Sequence, residues 1–337
     1  MKELIATVLR RITLPCLPTV YNALPGVLHG RWVGETVAQY RAAAEQQPTG
    51  DRKTVTPIRT IGLTALAMMA FAANSILCRL ALGSGLIDAA SFTTIRVASG
   101  AALLALLLRL RTMRAERAGS NWRSAAMLFT YMAFFSFAYL SLDAGTGALI
   151  LFGAVQLTMF VAALRAGEPF PLLSWFGFVV AIAGLVYLVS PGVTAPDPAG
   201  AGLMSVAGVA WGFYSLSGRG VRDPLGATAR NFLYSVPLVL LVSLVFLGDL
   251  SVTPAGLALA IASGALASGC GYAIWYAALP GLSATRAATV QLSVPVIAAF
   301  AGVLLLSEAL TARLVLASAL TLSGVAIVLA QRQVRTA

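Results

Sequence analysis

Charged residues are scarce in this chain of 337 residues, and so are the residues that carry most catalytic chemistry. Asp, Glu, Lys and Arg together make up 10% of it, against about 25% in ordinary soluble domains. It has one histidine, His29, and three scattered cysteines, Cys16, Cys78 and Cys270. These residues offer neither a metal cluster nor a disulfide framework. We also find no Gly-x-Ser-x-Gly or His-Glu-x-x-His motif and no paired membrane aspartates. We therefore expect a protein that is not an enzyme and that uses no cofactor and no metal.

Hydrophobic residues, in contrast, account for 59% of the chain, which exceeds the roughly 45–50% of soluble domains and is typical of a membrane protein. The net charge is +11. Its basic residues lie in short breaks between apolar runs and are not clustered with aromatic residues on one face, as nucleic-acid binding would require. The composition therefore predicts the lipid bilayer as a partner and excludes nucleic acid.

Ten apolar runs are each long enough to form a transmembrane helix, which needs about 20 residues. They cover residues 60–82, 90–110, 122–141, 146–165, 171–190, 199–217, 225–247, 255–278, 284–307 and 312–331. Turn-forming residues fill the breaks. The sequence thus predicts an all-α polytopic membrane protein with ten transmembrane helices.

Arginines collect in alternate breaks between these runs, and Arg313, which follows Glu308, is the exception. The other breaks carry Asp88, Asp143, Asp197 and Asp249. By the positive-inside rule, this alternation predicts an inner-membrane protein with both termini in the cytoplasm. We interpret residues 1–58, which are interrupted by Pro and Arg, as a cytoplasmic tail that is disordered or lies on the surface. Residues 332–337 form a short C-terminal tail.

Several short matches relate the two halves of the chain. "FAANSILCR" (71–79) aligns with "WGFYSLSGR" (211–219), and "VQLT" (155–158) aligns with "VQLS" (290–293). Glu168 precedes Gly184 by the same interval that separates Glu308 from Gly324. The shared order predicts two five-helix repeats, residues 59–191 and 198–331. Because five is odd, the repeats must be inverted, as in many secondary transporters.

These segments resemble the drug/metabolite transporter superfamily, specifically its ten-helix EamA-domain exporters. The resemblance covers residues 60–331 and is carried by "WGFYSLSGR", by "VQLSVPVIAAFAGVLLLSE" (290–308) and by the Glu-to-Gly spacing at the end of each half. It implies a transporter in which the fifth and tenth spans lie outside the substrate pathway.

Two glutamines stand out among the polar residues inside the spans. Gln156 lies near the centre of the fourth span and Gln291 about one turn from the centre of the ninth. Pro295 has no N–H to bond the carbonyl of Gln291, so this spot can offer a ligand a donor and two acceptors. Alternatively, each glutamine only bonds a neighbouring helix, a contact worth about 1 kcal/mol.

Further candidates for a substrate cavity lie deep in the spans. Aromatic rings there could stack on a flat substrate, and an amide could bond it, although simple packing explains any single one. The candidates are Asn74, Tyr131, Trp211, Tyr214, Tyr234 and Tyr272.

Charged residues near the span ends allow two interpretations. Arg79, Arg96, Arg219 and Arg230 occupy matched positions, so snorkelling to lipid headgroups or binding of an anion could explain them. Glu308 could cap the helix that follows it. No Asp or Glu lies deep in a span, so proton or sodium coupling has no midplane candidate, and we expect facilitated transport or exchange.

The sequence therefore favours a transporter that moves a small metabolite, amino acid or amphipathic drug by alternating access, most simply as an exporter. A non-transporting membrane scaffold or sensor is the alternative, and an intramembrane enzyme a more distant one. The expected partners are a small-molecule substrate and the bilayer, and a homodimer is compatible with the pattern.

Overall fold

The computed structural model describes residues 57–110, 122–165, 167, 171–192, 194–218, 221, 223–282 and 284–334. These residues are mostly helical, and their one β contact is an isolated bridge between Ile87 and Val252. The predicted tail, residues 1–58, lies outside the described part except for its last two positions, which begin the first helix.

The helices follow the predicted spans closely, and they form a polytopic all-α membrane protein. Their bounds are α1 Pro57–Gly83, α2 Ala89–Arg109, α3 Trp122–Ala138, α4 Ala144–Arg165, α5 Leu172–Val189, α6 Pro198–Ser217, α7 Pro224–Val245, α8 Pro254–Ile261, α9 Gly271–Ala278, α10 Ala284–Gln291, α11 Ser293–Leu306 and α12 Ala312–Val334. In the described part of the chain, nine spans are long and apolar enough to cross a bilayer. The helix α3, with 17 residues, completes the predicted ten.

The eighth and ninth spans are irregular. A π-helical segment, Ala262–Cys270, joins α8 to α9. Its small residues let the backbone approach α2, where Gly264 faces the carbonyl of Arg96 with no room for a side chain. In the ninth span, a turn at Leu292 separates α10 from α11. Pro295 explains the break, because it cannot donate the helical bond to the carbonyl of Gln291.

The helix pairings are related by exchange of the two halves. The first span packs on the eighth, as the sixth packs on the third. The first span also packs on the ninth, as the sixth packs on the fourth, and the second span packs on the seventh. Gly208 and Gly212 of α6 approach Leu151 and Thr158 of α4 closely, as small residues do at contacts between transmembrane helices.

The helices α5 and α12 form a peripheral pair. Gly184 leaves no room for a side chain beside Thr321, and Gly324 leaves none beside Ala181. The two contacts are equivalent in the two halves, because Gly324 follows Gly184 by 140 residues and Thr321 follows Ala181 by the same interval. About 28% of the α5 span is buried, against 72% of the α4 span, so α4 lies in the middle of the bundle and α5 at its edge.

Five loops meet at one end of the bundle, which we call the acidic face: residues 84–88, 139–143, 190–197, 246–253 and 307–311. The backbone N–H of Asp88 donates to the carbonyl of Ser251, and Ser141 Oγ donates to Asp197. Arg313 donates to the C-terminal carbonyls of α5, including that of Ser190. These bonds tie loops of both halves into one layer, so this end of the bundle is tightly closed.

Candidate functional site

A small cavity lies where helices of both halves cross. Its volume is about 30 Å³, enough for a water molecule or two but not for an organic substrate. Its lining is Phe71, Asn74, Ser75, Tyr131, Phe135, Leu151, Phe152, Trp211, Ala267, Ser268, Tyr272 and Gln291. The cavity therefore brings together five of the residues that the sequence singled out: Asn74, Tyr131, Trp211, Tyr272 and Gln291.

Aromatic rings form most of one wall. The ring of Trp211 lies 4.8 Å from that of Tyr131, 5.4 Å from that of Tyr214 and 5.5 Å from that of Tyr272, measured between centroids. Phe71 contacts Tyr272 at 5.8 Å. Offset and tilted rings at these distances attract one another. The wall is thus a continuous aromatic surface contributed by α1, α3, α6 and α9.

A polar network lies beside this wall, on the side away from the acidic face. Tyr214 donates its hydroxyl hydrogen to Thr228 Oγ1 at 3.3 Å, and Thr228 and Tyr276 share a hydrogen bond of 2.8 Å. Asn231 donates to the Tyr214 hydroxyl at 3.4 Å. The predicted residue Tyr214 therefore does not line the cavity itself but links α6, α7 and α9 next to it.

The side-chain amides of Asn74 and Gln291 have different surroundings in the cavity. The Asn74 side-chain oxygen accepts a hydrogen bond of 2.6 Å from Ser263 Oγ, which ties α1 to the π-helical segment. Gln291 is half-buried and lines the cavity at the end of α10. Because the helix is interrupted directly after it, Gln291 presents its side chain where the backbone is irregular, an arrangement common at transporter sites.

The remaining predicted residues lie elsewhere. Gln156 is buried in α4, with 8% of its surface exposed, and it does not line the cavity. Pro295 is buried in α11, one turn beyond Gln291. The half-buried ring of Tyr234 stacks on Trp122 at 4.8 Å, away from the cavity. The structure thus separates these three from the central group.

Arg96 was matched to a span end, where snorkelling could explain it, but the structure shows that interpretation to be wrong. Its side chain is completely buried in α2. The guanidinium donates to the Tyr131 hydroxyl at 3.2 Å. It also lies 4.8 Å from the centroid of the Phe135 ring and 5.5 Å from that of Tyr131. Both rings line the cavity, so Arg96 stands directly behind the cavity wall.

A second charged cluster, which we call the latch, closes the bundle at the acidic face. It consists of Arg79, Asp143, Ala144 and Glu308. Arg79 pairs with Glu308 and with Asp143, each at 3.3 Å. The N–H of Ala144, the first residue of α4, donates to both carboxylate oxygens of Glu308 at 2.9 and 3.0 Å. Arg79 is therefore an ion-pair residue and not a snorkelling one.

The sequence suggested that Glu308 caps the helix that follows it, but in the structure it does not. Thr311 does so instead, because its hydroxyl accepts from the N–H of Leu314. Ser307 adopts a left-handed conformation with φ of 55°, which ends α11 and turns the chain toward the first half. Glu308 thus caps α4 from the opposite half of the protein. The matched Glu168 lies outside the described residues.

The surroundings of Glu308 shift its acidity. Burial raises the pKa of the Glu308 carboxyl above its usual range, and the nearby Asp143 adds to this rise. The Ala144 N–H and the Arg79 guanidinium act in the opposite direction and offset part of it. The latch therefore places one guanidinium between two carboxylates, those of Asp143 and Glu308.

Several residues of the site escaped the sequence analysis. Phe71 and Phe135 line the cavity, but nothing in their sequence context distinguishes them from packing residues. Tyr276 lies near a span end, where aromatic residues usually form an interfacial belt, whereas it bonds Thr228 inside the bundle. Its spacing of four residues from Tyr272, which puts both on one helix face, was the available signal.

A larger groove lies between α4, α5 and α6, with a volume of about 470 Å³. Its lining is mostly apolar and includes the exposed Val161, Val186 and Val209. The hydroxyls of Thr158 and Ser205 in this groove already bond carbonyls of their own helices. With those hydroxyls engaged, the groove has the character of a lipid-facing surface.

Comparison with known proteins agrees with this architecture. Residues 198–330 match the model of the EamA-like transporter family. An uncharacterized protein of Pseudomonas aeruginosa is 54% identical over 279 residues, which cover 83% of this chain and 97% of that protein. An uncharacterized transporter of Archaeoglobus fulgidus is 28% identical over 209 residues, covering 60% of this chain and 74% of the relative.

A solved crystal structure shares the fold at a TM-score of 0.59 with 20% identity, and the match covers 79% of this chain and 96% of the other. Together with the ten spans, the matched halves and the cavity at their crossing, these similarities identify the group to which the protein belongs. The chain is a member of the EamA-like transporter family.

Proposed function

We propose that the protein is a secondary transporter of the inner membrane that exports a small metabolite, amino acid or amphipathic drug by alternating access. The observation that carries this proposal is the cavity between the halves, which combines aromatic rings with the amides of Asn74 and Gln291. At about 30 Å³ it must widen to admit a substrate. A cavity closed on both sides fits an occluded intermediate of such a cycle.

The two halves, residues 59–191 and 198–331, act in this proposal as inverted repeats around the cavity. The pairings that are preserved on exchange of the halves support this division. In alternating access, one repeat moves against the other about a fixed site. Because one chain supplies both sides of the cavity, the cycle does not require the homodimer that the sequence allows.

Closure toward the acidic face depends in this scheme on the latch. Arg79 and Ala144 belong to the first half and Glu308 to the second, so the bonds among them must break when the halves separate at that end. Toward the opposite end, the corresponding contact between the halves is the hydrogen bond of 3.2 Å that Ser124 of α3 and Ser217 of α6 share. Opening one set of contacts while keeping the other would expose the cavity to one side at a time.

The helix break in the ninth span provides a test of the site. Replacing Pro295 by Ala restores the N–H that the carbonyl of Gln291 lacks, so α10 and α11 should merge into a regular helix. We expect a higher melting temperature and a flux that falls several-fold, because Gln291 would lose its irregular surroundings. Thermal unfolding and liposome flux on the same preparation check both parts. Unchanged flux in a stabilised variant would contradict a role for the break.

The orientation follows from the arginine-rich loops, which we place in the cytoplasm together with both termini. The acidic face then points outward. A cysteine introduced at the exposed Gly248, where a side chain has open space, should react with a membrane-impermeant maleimide on intact cells. A cysteine at Ala115, between Arg114 and Arg117 in the sequence, should react only after permeabilisation. Labelling of both positions from the same side would contradict the ten-span orientation.

A scaffold or sensor without transport is the alternative. Such a protein would need an output segment, for which residues 1–58 are the candidate. We favour the transporter because a scaffold gives no reason for amides and aromatic rings to converge on a closed cavity. The decisive experiment is a ligand-stabilisation screen on purified protein, followed by flux of the hits into liposomes. Binding without flux for every hit would favour the sensor.

A further inference from the structure

The charge on Arg96 lacks a counter-charge of the usual kind. Its side chain has no exposed surface, and its Nε and Nη1 have no hydrogen-bond partner. The ion pairs found among the described residues involve Arg79 and not Arg96. Its remaining guanidinium nitrogen, Nη2, donates a hydrogen bond to the hydroxyl of Tyr131.

A buried cation without a partner is expensive. Removing a guanidinium from water costs several kcal/mol, and a buried guanidinium without an opposite charge has no ion pair to offset that cost. Charged side chains inside transmembrane bundles therefore mark substrate or ion pathways by default. Arg96 lies seven residues into α2, about 10 Å along the helix, so its guanidinium does not reach the headgroup region, as its complete burial also shows.

The position of the guanidinium relative to the cavity indicates its use. The faces of Tyr131 and Phe135 lie between Arg96 and the cavity, at 5.5 and 4.8 Å from the guanidinium carbon. The same wall continues to Trp211 and Tyr272. Movement of the Tyr131 and Phe135 rings would let a ligand in the cavity approach the guanidinium. A guanidinium can hold a carboxylate or a phosphate by two parallel bonds.

We propose that the substrate is an amphipathic organic anion, in which a flat apolar body carries one carboxylate or phosphate ester, and that Arg96 is its charge receptor. This assignment rests on the proposed transport function and names its substrate class. The flat body stacks on Trp211 and Tyr272, and the amide of Gln291 bonds a polar substituent. The anion supplies the counter-charge that the protein does not.

The test compares three ligands with the same ring: 2-naphthoate, 2-naphthyl phosphate and the neutral 2-naphthamide. Thermal stabilisation of the purified wild-type protein is measured as a function of ligand concentration. We expect at least one of the two anions to bind at least tenfold more tightly than the amide, and their order distinguishes carboxylate from phosphate. Equal binding of all three, or binding of the amide alone, would overturn the assignment.

Variants of Arg96 separate recognition from support of the fold. Arg96→Gln should lose at least tenfold in affinity for the anion but keep its affinity for the amide, and Arg96→Lys should lie between. Without ligand, Arg96→Gln should melt at the same or a higher temperature, because it removes an unpaired charge. Arg109→Gln, at an exposed position of the same helix, is the matched control and should bind as wild type. A large loss of melting temperature in Arg96→Gln together with unchanged anion affinity in Arg96→Lys would assign Arg96 to packing.

The two proposals fail in different ways. If 2-naphthamide is bound and transported whereas the anions are not, the protein is a transporter with a neutral substrate. If an anion binds through Arg96 but does not cross the membrane, the substrate class holds and the transport function fails.

Discussion

Replacing Gln291 by Leu is expected to reduce flux by more than about tenfold, equivalent to at least about 1.4 kcal/mol of lost binding or transition-state stabilisation. The substitution keeps the apolar volume and removes the amide that lines the cavity at the end of α10. Because the side chain is only half-buried and the bonds of the helix are unaffected, thermal stability should change little. Initial rates of uptake into liposomes and a melting curve measure the two quantities.

The matched residue Gln156 provides the control for this substitution. It is buried in α4 but does not line the cavity. Gln156→Leu should therefore affect flux in the same direction but more weakly. A Gln291→Leu protein that transports normally would remove this residue from the site, and one that is inactive because it unfolds would indicate a packing role.

Replacing Glu308 by Ala is expected to open the acidic face. The change removes an ion pair with Arg79 and two hydrogen bonds from the N–H of Ala144, charge-assisted contacts that are stronger than neutral ones. A loss of about 1.4 kcal/mol would shift the ratio of open to closed molecules tenfold. The measurement is the labelling rate of a cysteine at the cavity position Ser75, in a background without native cysteines, by a reagent applied to the acidic face.

Asp249→Ala is the matched control for this effect. It removes the same charge from an exposed loop of the same face, so the labelling rate at position 75 should not change. Equal rates in Glu308→Ala and in the parent protein would show that other contacts close this end. The contact between loops 84–88 and 246–253 could then be tested by replacing Asp88, whose carboxylate accepts a hydrogen bond from the N–H of Ser251.

The latch should also respond to pH when its cation is removed. In the closed protein, burial raises the pKa of Glu308 above its usual range, and the Arg79 guanidinium offsets part of the rise. Arg79→Gln should therefore raise it further. A group with a higher pKa in the closed state binds its proton more tightly there, so protonation favours closure. The labelling rate at position 75 in Arg79→Gln should therefore increase as the pH rises through the range in which Glu308 loses its proton. Each rate is divided by the rate measured in Glu308→Ala at the same pH.

The fold was largely predictable because the bilayer imposes a simple rule. A spanning helix must be about 20 apolar residues long, and the predicted runs match the observed helices to within a few residues. The irregular segments were less accessible. Pro295 signalled the break after Gln291, since a missing N–H is visible in sequence. The π-helical segment Ala262–Cys270 has no such marker, because small residues occur equally in regular helices.

The site was predictable only in part, and depth along a helix accounts for the difference. Asn74, Tyr131, Trp211, Tyr272 and Gln291 lie near the middle of their spans, and they meet at the cavity. Depth does not specify which way a side chain points, so Tyr234 was included although it stacks on Trp122 at the edge.

Arg96 and Arg79 show a second limit. Both were matched to span ends, and the sequence does not tell whether such a side chain points to water or into the bundle. Arg96 is instead enclosed by aromatic rings from α3, and Arg79 meets a carboxylate 229 positions away. Such contacts depend on how distant helices cross, which no local pattern records. The repeat did mark both residues as matched positions, and that was the signal to follow.

The proposed role of Arg96 has a consequence for the energetics of the proposed export. A cargo that is an anion feels the membrane potential, which is worth about 2.3 kcal/mol per elementary charge at 100 mV. In a cell that is negative inside, this drives the anion outward and sustains a gradient of roughly fiftyfold without any coupled ion. Outward movement of such an anion therefore does not require an acidic residue deep in the spans to couple it to a proton or sodium ion. Reversing the potential across liposomes with a potassium gradient and valinomycin should reverse the direction of net anion movement.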